Sequence, residues 1–162
     1  MKNIAVIDAL ALAAGYSLRI LAGALAVDVD VSPWLLVCSS AMFFGLALLK
    51  RYAELIALRS TVGTEGRVRA YHIADSTILV GLGAAAGCIA VALLALYPLV
   101  ESSPHDRWPV WLVCSFLLFW IGHMWLMAHR GNIHEDPVAF AVHDPVSLTF
   151  GMLTVIVLLA AL

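Results

Sequence analysis

Basic residues are concentrated in one segment of this chain, between Lys50 and Asp75. Arginine can bind a phosphate group through two parallel hydrogen bonds, whereas lysine binds it as a point charge. Such a cluster either binds phosphate groups or marks the cytoplasmic side of a membrane protein, where basic residues accumulate. Five of the nine Lys and Arg residues lie in this segment: Lys50, Arg51, Arg59, Arg67 and Arg69.

The first turn of this segment, Lys50-Arg51-Tyr52-Ala53-Glu54, contains both basic and acidic side chains. Lys50 and Glu54 are four residues apart and would share one face of a helix. Two interpretations are open: an ion pair within a topology-setting loop, or a site for phosphate groups and a cation. Further polar residues follow across a glycine-bounded turn and could converge on the same place: Arg67, Arg69, Tyr71 and Asp75.

A second polar segment, residues 130–147, contains Asp136-Pro137 and Asp144-Pro145. An aspartate before proline commonly caps the helix that follows. Hard cations such as Mg²⁺ also prefer carboxylate ligands. Helix capping and metal binding therefore both remain open for Asp136 and Asp144.

Arg19 lies within an apolar run near the start of the chain. A charge at the centre of a bilayer costs at least ~2.5 kcal/mol, so Arg19 should face protein or water instead of lipid. Asp8 precedes it by eleven residues, which places both groups on nearly one helix face, about 16 Å apart. Arg19 is either structural or a ligand for an anionic group.

Composition indicates that these residues are positioned by membrane-spanning helices. Hydrophobic residues make up 63% of the 162 residues and charged residues 12%, against roughly half and a quarter in soluble domains. The apolar runs are continuous instead of alternating, which favours helices over a β-barrel. We predict an all-α polytopic bundle forming one domain over residues 1–162, with five spans at about 7–27, 33–56, 75–100, 108–128 and 145–162.

The charges of the connecting loops predict the orientation of this bundle. Basic residues favour the cytoplasmic side, so we expect the N-terminus and loops 50–75 and 129–144 to be cytoplasmic and the C-terminus to be outside. The expected location is the inner (plasma) membrane, and nucleic acid is not an expected partner.

Four segments together resemble the C-terminal half of the UbiA superfamily of intramembrane prenyltransferases. The most similar branch is that of decaprenyl-phosphate phosphoribosyltransferase. The resemblance implies that the five spans are the second half of a nine-helix fold around a cytoplasmic cavity. It also implies Mg²⁺-dependent transfer of a prenyl or phosphoribosyl group from a diphosphate donor. The segments are YSLRILAGALAV (16–27), SPWLL (32–36), LALLKRYAEL (46–55) and RGNIHEDPVAFAVHDPVS (130–147).

The chain departs from the family pattern at both of its Asp-rich motifs. The first, NDxxDxxxD, is absent, and the second, often DxxxD, has Lys50 in place of its first acid. The resemblance therefore implies direct phosphate binding, a polyprenyl phosphate or diphosphate lipid as partner, and an N-terminal half that supplies the missing motif. The implied phosphate ligands are Lys50, Arg51, Arg67, Arg69 and, deeper in the cavity, Arg19; the implied orienting or metal-assisting residues are Glu54, Tyr71 and Asp75.

The alternative to a transferase is a non-catalytic small membrane protein. In that case the basic loop sets topology and contacts anionic lipid headgroups, and no reaction is carried out.

Overall fold

The computed structural model describes residues 6–62, 67–68, 70–100, 108–133 and 136–160, and for 60–62, 67–68 and 100 it describes the backbone alone. Six α-helices dominate it, joined at one point by a two-stranded antiparallel ladder and a 3₁₀ turn. The elements are α1 (Ile7–Ala26), α2 (Pro33–Val62), β1 (Arg67–Val68), β2 (Tyr71–His72), the 3₁₀ turn (Ile73–Asp75), α3 (Ser76–Val100), α4 (Trp108–His129), α5 (Pro137–His143) and α6 (Pro145–Ala160).

Four of these helices, α1 to α4, are long and apolar enough to cross a membrane. Together, α5 and α6 would form a fifth span, but they are bent by 83° where they meet. The chain is thus an all-α, multi-pass membrane protein. The predicted helical class is confirmed. Helices α1 to α4 coincide with the first four predicted spans, except that α2 runs on to Val62, six residues past the predicted end at 56.

The fifth span differs from its prediction. Residues 137–143 were expected to belong to a loop, yet they form α5. Asp144 then adopts an extended backbone conformation, which is the conformation favoured before a proline, and α6 begins at Pro145. A proline therefore both breaks the helical path and starts the next helix.

Helix α2 is the centre of the bundle and packs against α1, α3 and α4. Large side chains that are almost fully buried form the core around it, on α2, α3 and α4. They are Leu48, Leu49, Leu55, Leu79 and Met124.

Glycines allow α2 and α3 to approach closely. A Cβ atom added at Gly45 would lie 3.0 Å from the carbonyl oxygen of Gly83, and one added at Gly83 would lie 2.3 Å from the Trp125 ring. Small residues commonly permit such backbone contact between membrane helices.

We expect Gly83→Val to destabilise the protein by about 1–3 kcal/mol, because the added methyl groups would overlap the Trp125 ring. Gly81→Val is the matched control, because Gly81 lies in the same helix with no neighbour within 4 Å. The measurement is unfolding in mixed micelles with increasing dodecyl sulfate. Equal midpoints for the two variants would contradict the close packing of α3 against Trp125 of α4.

Candidate phosphate site at one end of the bundle

Polar side chains from four elements meet at one end of the bundle. This end comprises the start of α1, the second half of α2, the end of α4 and the start of α5, with the ladder beside them. It is held together by contacts of Arg51 with Asp8, Tyr52 with His129, and Lys50 with Asp136. The two loops expected on one side of the membrane are therefore neighbours in space.

Arg51 is buried within this group of polar residues, and its side chain is only 1% exposed. Its Nε is 2.6 Å from Asp8 Oδ2, and its Nη1 lies 2.8 and 2.7 Å from the two carboxylate oxygens of Glu54. A buried cation needs such partners because its desolvation is otherwise uncompensated. Arg51 is thus engaged by two carboxylates, which favours a positioning role over direct contact with a ligand.

Tyr71 joins the ladder to this buried pair. Its hydroxyl donates a hydrogen bond of 2.9 Å to Asp8 Oδ1 and accepts one of 2.7 Å from the backbone N–H of Val6. Burial, and next the hydrogen bond to Asp8 and its negative charge, raise the pKa of Tyr71 to about 12, although the Val6 N–H and Arg51 act in the opposite direction. The protonated phenol is the form that this network requires.

We expect stability to fall as the pH rises from about 10 to about 12. An unfolded tyrosine ionises near its ordinary pKa of 10.0, whereas folded Tyr71 keeps its proton to about 12, so the unfolded state loses its proton first and alkali favours unfolding. The stabilisation is complete below pH 10 and is lost across this window. Unfolding midpoints of the wild type and Tyr71→Phe at several pH values test this, because a Tyr71→Phe variant with an unchanged pH slope would exclude Tyr71 as its source.

Lys50 and Asp136 form a second ion pair, nearer to the surface. Their side chains are 31% and 33% exposed, and the Lys50 Nζ is 2.5 Å from Asp136 Oδ2. The other oxygen, Asp136 Oδ1, accepts a 3.1 Å hydrogen bond from the Val138 N–H and so caps α5. Partial burial alone would raise the pKa of Asp136, but the hydrogen bonds from Lys50 and Val138 N–H and the charge of Lys50 lower it.

An apolar crevice adjoins this exposed ion pair. It runs between α1, α2 and α5, and Lys50 and Asp136 are the charged groups that line it. Its other walls are Leu12, Tyr16, Phe43, Leu46, Ala47 and Val138.

Asp144 lies at the bend between α5 and α6. Its Oδ2 accepts hydrogen bonds of 2.7 Å from both the N–H and the hydroxyl of Ser147 and lies 3.1 Å from His123 Nε2. The Ser147 hydroxyl in turn accepts a 3.0 Å hydrogen bond from Trp120 Nε1. The helix-capping interpretation is therefore confirmed for both Asp136 and Asp144.

The carboxylates in the described part of the chain do not by themselves fit a Mg²⁺ site. Within these residues, no group of three or more His, Cys, Asp or Glu side chains is arranged to hold a metal. Glu54 binds Arg51, and Asp136 binds Lys50 and caps α5.

Among the described side chains, the remaining predicted residues do not line the crevice themselves, although Arg19 lies over Tyr16, one of its walls. Asp75 accepts a 2.9 Å hydrogen bond from the His72 N–H and thereby closes the 3₁₀ turn before α3. Arg19 is exposed on α1, with its guanidinium carbon 5.0 Å from the centre of the Tyr16 ring. The Arg67 side chain and the whole of Arg69 lie outside the described residues.

Two partners in this region were not predicted from the sequence. Asp8 was expected only to share a helix face with Arg19, at a distance too large for a pair, whereas it binds Arg51. His129 was not considered as a partner of Tyr52. The sequence does contain a signal for the contact of Asp8 with Arg51. Asp8 lies at the start of α1 and Arg51 in the second half of α2, so packing the two helices antiparallel brings this acid and this base to the same depth in the bundle.

Comparison with known proteins adds two relatives. The chain is 32% identical over 159 residues to the uncharacterized protein y4nM of Sinorhizobium fredii, covering 94% of this chain and 30% of that protein. It is 34% identical over 146 residues to nodulation protein NoeC of Azorhizobium caulinodans, covering 88% of this chain and 48% of that protein. The chain thus spans half or less of the length of these relatives. No family model and no solved structure matches it.

Proposed function

We propose that this chain is the C-terminal membrane half of a UbiA-type transferase, and that Lys50 binds a phosphate group of its lipid or diphosphate substrate. The observation that carries the proposal is the position of Lys50. It is a partly exposed cation with a single carboxylate partner, at an apolar crevice between helices. An anionic headgroup with a hydrocarbon tail matches such a site in both charge and polarity.

The neighbouring charged residues support Lys50 in this proposal. The ion pairs of Arg51 with Asp8 and Glu54 hold the second half of α2 in place. The hydrogen bond from Tyr71 to Asp8 connects the ladder to these residues. Arg67 lies on β1, which packs against α2, and Arg69 follows it in sequence; we propose that both add positive charge to this end of the bundle. Asp75 orders the chain where α3 begins.

The proposed reaction breaks the bond between the donor carbon and its diphosphate, and the electron pair leaves on pyrophosphate. The acceptor forms the new bond to that carbon. With phosphoribosyl diphosphate as donor, the attacking atom is a phosphate oxygen of a polyprenyl phosphate; with a prenyl diphosphate, it is a carbon or oxygen atom of the acceptor, which releases its proton to solvent. Cationic groups beside the phosphates stabilise the negative charge that develops there. Any Mg²⁺ in this reaction would depend on carboxylates beyond those described here, such as those of an NDxxDxxxD motif in an N-terminal half.

We further propose that the end of the bundle bearing Lys50 faces the cytoplasm, in the plasma membrane. The second half of α2, which carries Lys50 and Tyr52, lies beside His129 at the end of α4 and Asp136 at the start of α5, and basic segments favour the cytoplasmic side. The N-terminus is then also cytoplasmic and the C-terminus is outside.

A second candidate function is that of a non-catalytic membrane protein whose basic loop sets topology. The balance of charge within the chain favours it, because Arg51 contacts two carboxylates and Lys50 contacts one. The name of NoeC records a role in nodulation and specifies no reaction, so it fits both candidates.

The test is pyrophosphate release in membranes that contain this chain together with an N-terminal half bearing NDxxDxxxD. One arm receives phosphoribosyl diphosphate and decaprenyl phosphate, and the other receives geranyl diphosphate and a phenolic acceptor, each with Mg²⁺. We expect release in one arm and at least about a tenfold loss with Lys50→Ala, the size expected when a charge-assisted hydrogen bond is removed.

Arg59→Ala provides the control, because Arg59 is also a base near the end of α2 but is exposed. It should retain activity. If both arms lack pyrophosphate release, the non-catalytic candidate is favoured; if release is unaffected by Lys50→Ala, Lys50 is not the phosphate ligand.

A further inference from the structure

Arg19 occupies an unusual position for a charged residue in a membrane helix. It lies twelve residues after the start of α1 and seven before its end, so its Cα is about 10 Å from the nearer end of the helix. The residue is exposed on the surface of the bundle, and among the described residues it has no carboxylate partner.

The direction of the Arg19 side chain carries its charge deeper into the membrane. Side chains on a helix point towards its N-terminus, which for Arg19 is away from the nearer end. Its guanidinium accordingly lies over Tyr16, one turn earlier in α1. In this conformation the charge does not reach the nearer membrane surface, so the cost of exposure to lipid is not relieved by extension of the side chain to that surface.

The surface around Arg19 has the form of a helix-packing face. Exposed residues recur on it at intervals of three and four, and several are small, which lets a second helix backbone approach closely. Gly15, one turn before Arg19, has nothing within 4 Å. The face consists of Ala11, Gly15, Leu18, Arg19, Ala22 and Leu25, all exposed.

Among the described residues, the helices of a second copy of this chain offer Arg19 no carboxylate that is without a partner, since Asp144 at the start of α6 is bound to His123 and Ser147. Helices α3, α4 and α6 contain no acidic residue. The carboxylates of Asp8 in α1 and Glu54 in α2 are both bound to Arg51. A carboxylate that pairs with Arg19 would then come from a transmembrane segment outside the described residues.

We propose that the Arg19 face of α1 binds a further transmembrane helix that carries an acidic side chain at the depth of Arg19. The two relatives are longer than this chain, so the matched region has additional polypeptide to contact in those proteins. Two features define this partner: its backbone contacts α1 closely along Gly15 and Ala22, and its acidic side chain forms an ion pair with Arg19. Neither feature depends on the function of the Lys50 site.

Synthetic helices of known sequence provide the probe. Three leucine-rich transmembrane peptides differ only at the central residue, which is Asp, Asn or Leu. Energy transfer from labelled peptide to the acceptor-labelled full chain is measured in phosphatidylcholine vesicles. We expect the Asp peptide to associate about fivefold or more tightly than the Leu peptide, and this preference to disappear with Arg19→Leu.

Two further variants show whether the contact is specific. Arg59→Leu removes an exposed base near the end of α2 and should leave the preference unchanged. Gly15→Leu keeps the charge but blocks close approach, and should weaken binding of all three peptides.

Equal association of the three peptides, or a preference for Asp that survives Arg19→Leu, would overturn the proposal. So would an effect of Arg19→Leu that is seen only in vesicles containing phosphatidylglycerol, since Arg19 would then bind a lipid headgroup. Energy transfer between two labelled copies of the chain that is lost with Arg19→Leu would instead assign this face to self-association.

Discussion

Arg51→Met is expected to destabilise the protein by about 3–5 kcal/mol, the cost of removing one partner of a buried ion pair. Asp8 would remain buried without its cation, and Glu54 would lose both of its contacts with Nη1. Unfolding in mixed micelles with dodecyl sulfate measures the change.

The double variant Asp8→Asn/Arg51→Met separates two contributions to the destabilisation: the uncompensated buried charge of Asp8 and the lost packing of the Arg51 side chain. It should recover much of the stability, because no buried charge is left uncompensated at Asp8. Lys50→Met is the comparison at the adjacent position and should cost at most about 1 kcal/mol, since its ion pair with Asp136 is partly exposed. Equal losses for Arg51→Met and Lys50→Met would contradict the structural role of Arg51.

Lys50 and Asp136 should affect ligand binding in opposite directions. We expect Lys50→Gln to weaken binding of decaprenyl phosphate by at least about tenfold, through loss of a charge-assisted hydrogen bond. Asp136→Asn should strengthen it, because the carboxylate that now holds Lys50 would no longer compete with the phosphate group. Binding is measured with radiolabelled lipid and purified protein in neutral nanodiscs.

Asparagine is the informative substitution at position 136 because its side-chain oxygen can still cap α5. A gain in binding with Asp136→Asn would then reflect charge and not a change in the helix. Weaker binding for both Lys50→Gln and Asp136→Asn would mean that the intact ion pair, and not a free Lys50, is what the ligand requires.

The sequence predicted the membrane helices well because their signal is local. A continuous apolar run identifies a span, and Pro33 and Pro145 mark the first turns of α2 and α6. The break between α5 and α6 was not predicted, since residues 137–143 lie between two aspartates, Asp136 and Asp144, and are too few to register as a span.

For the candidate site, the sequence predicted which residues take part but not how they pair or which of them are buried. Charge and spacing identified the Lys50–Glu54 turn, but not which base would be buried. That outcome depends on Asp8, from another helix, which pairs with Arg51 and leaves Lys50 nearer to the surface. Likewise, the two Asp-Pro pairs fitted both capping and metal binding, and the capping contacts, of Asp136 with Val138 and of Asp144 with Ser147, are visible only in the structure.

Competitive labelling of lysine tests most directly whether Lys50 binds a phosphate group. The chain has two lysines, Lys2 and Lys50, so an amine-specific reagent followed by mass spectrometry reports each one separately, with Lys2 as the internal control. We expect decaprenyl phosphate to slow the labelling of Lys50 in nanodiscs while that of Lys2 is unchanged. Labelling of Lys50 at the same rate with and without the lipid, at concentrations that saturate binding, would contradict the account.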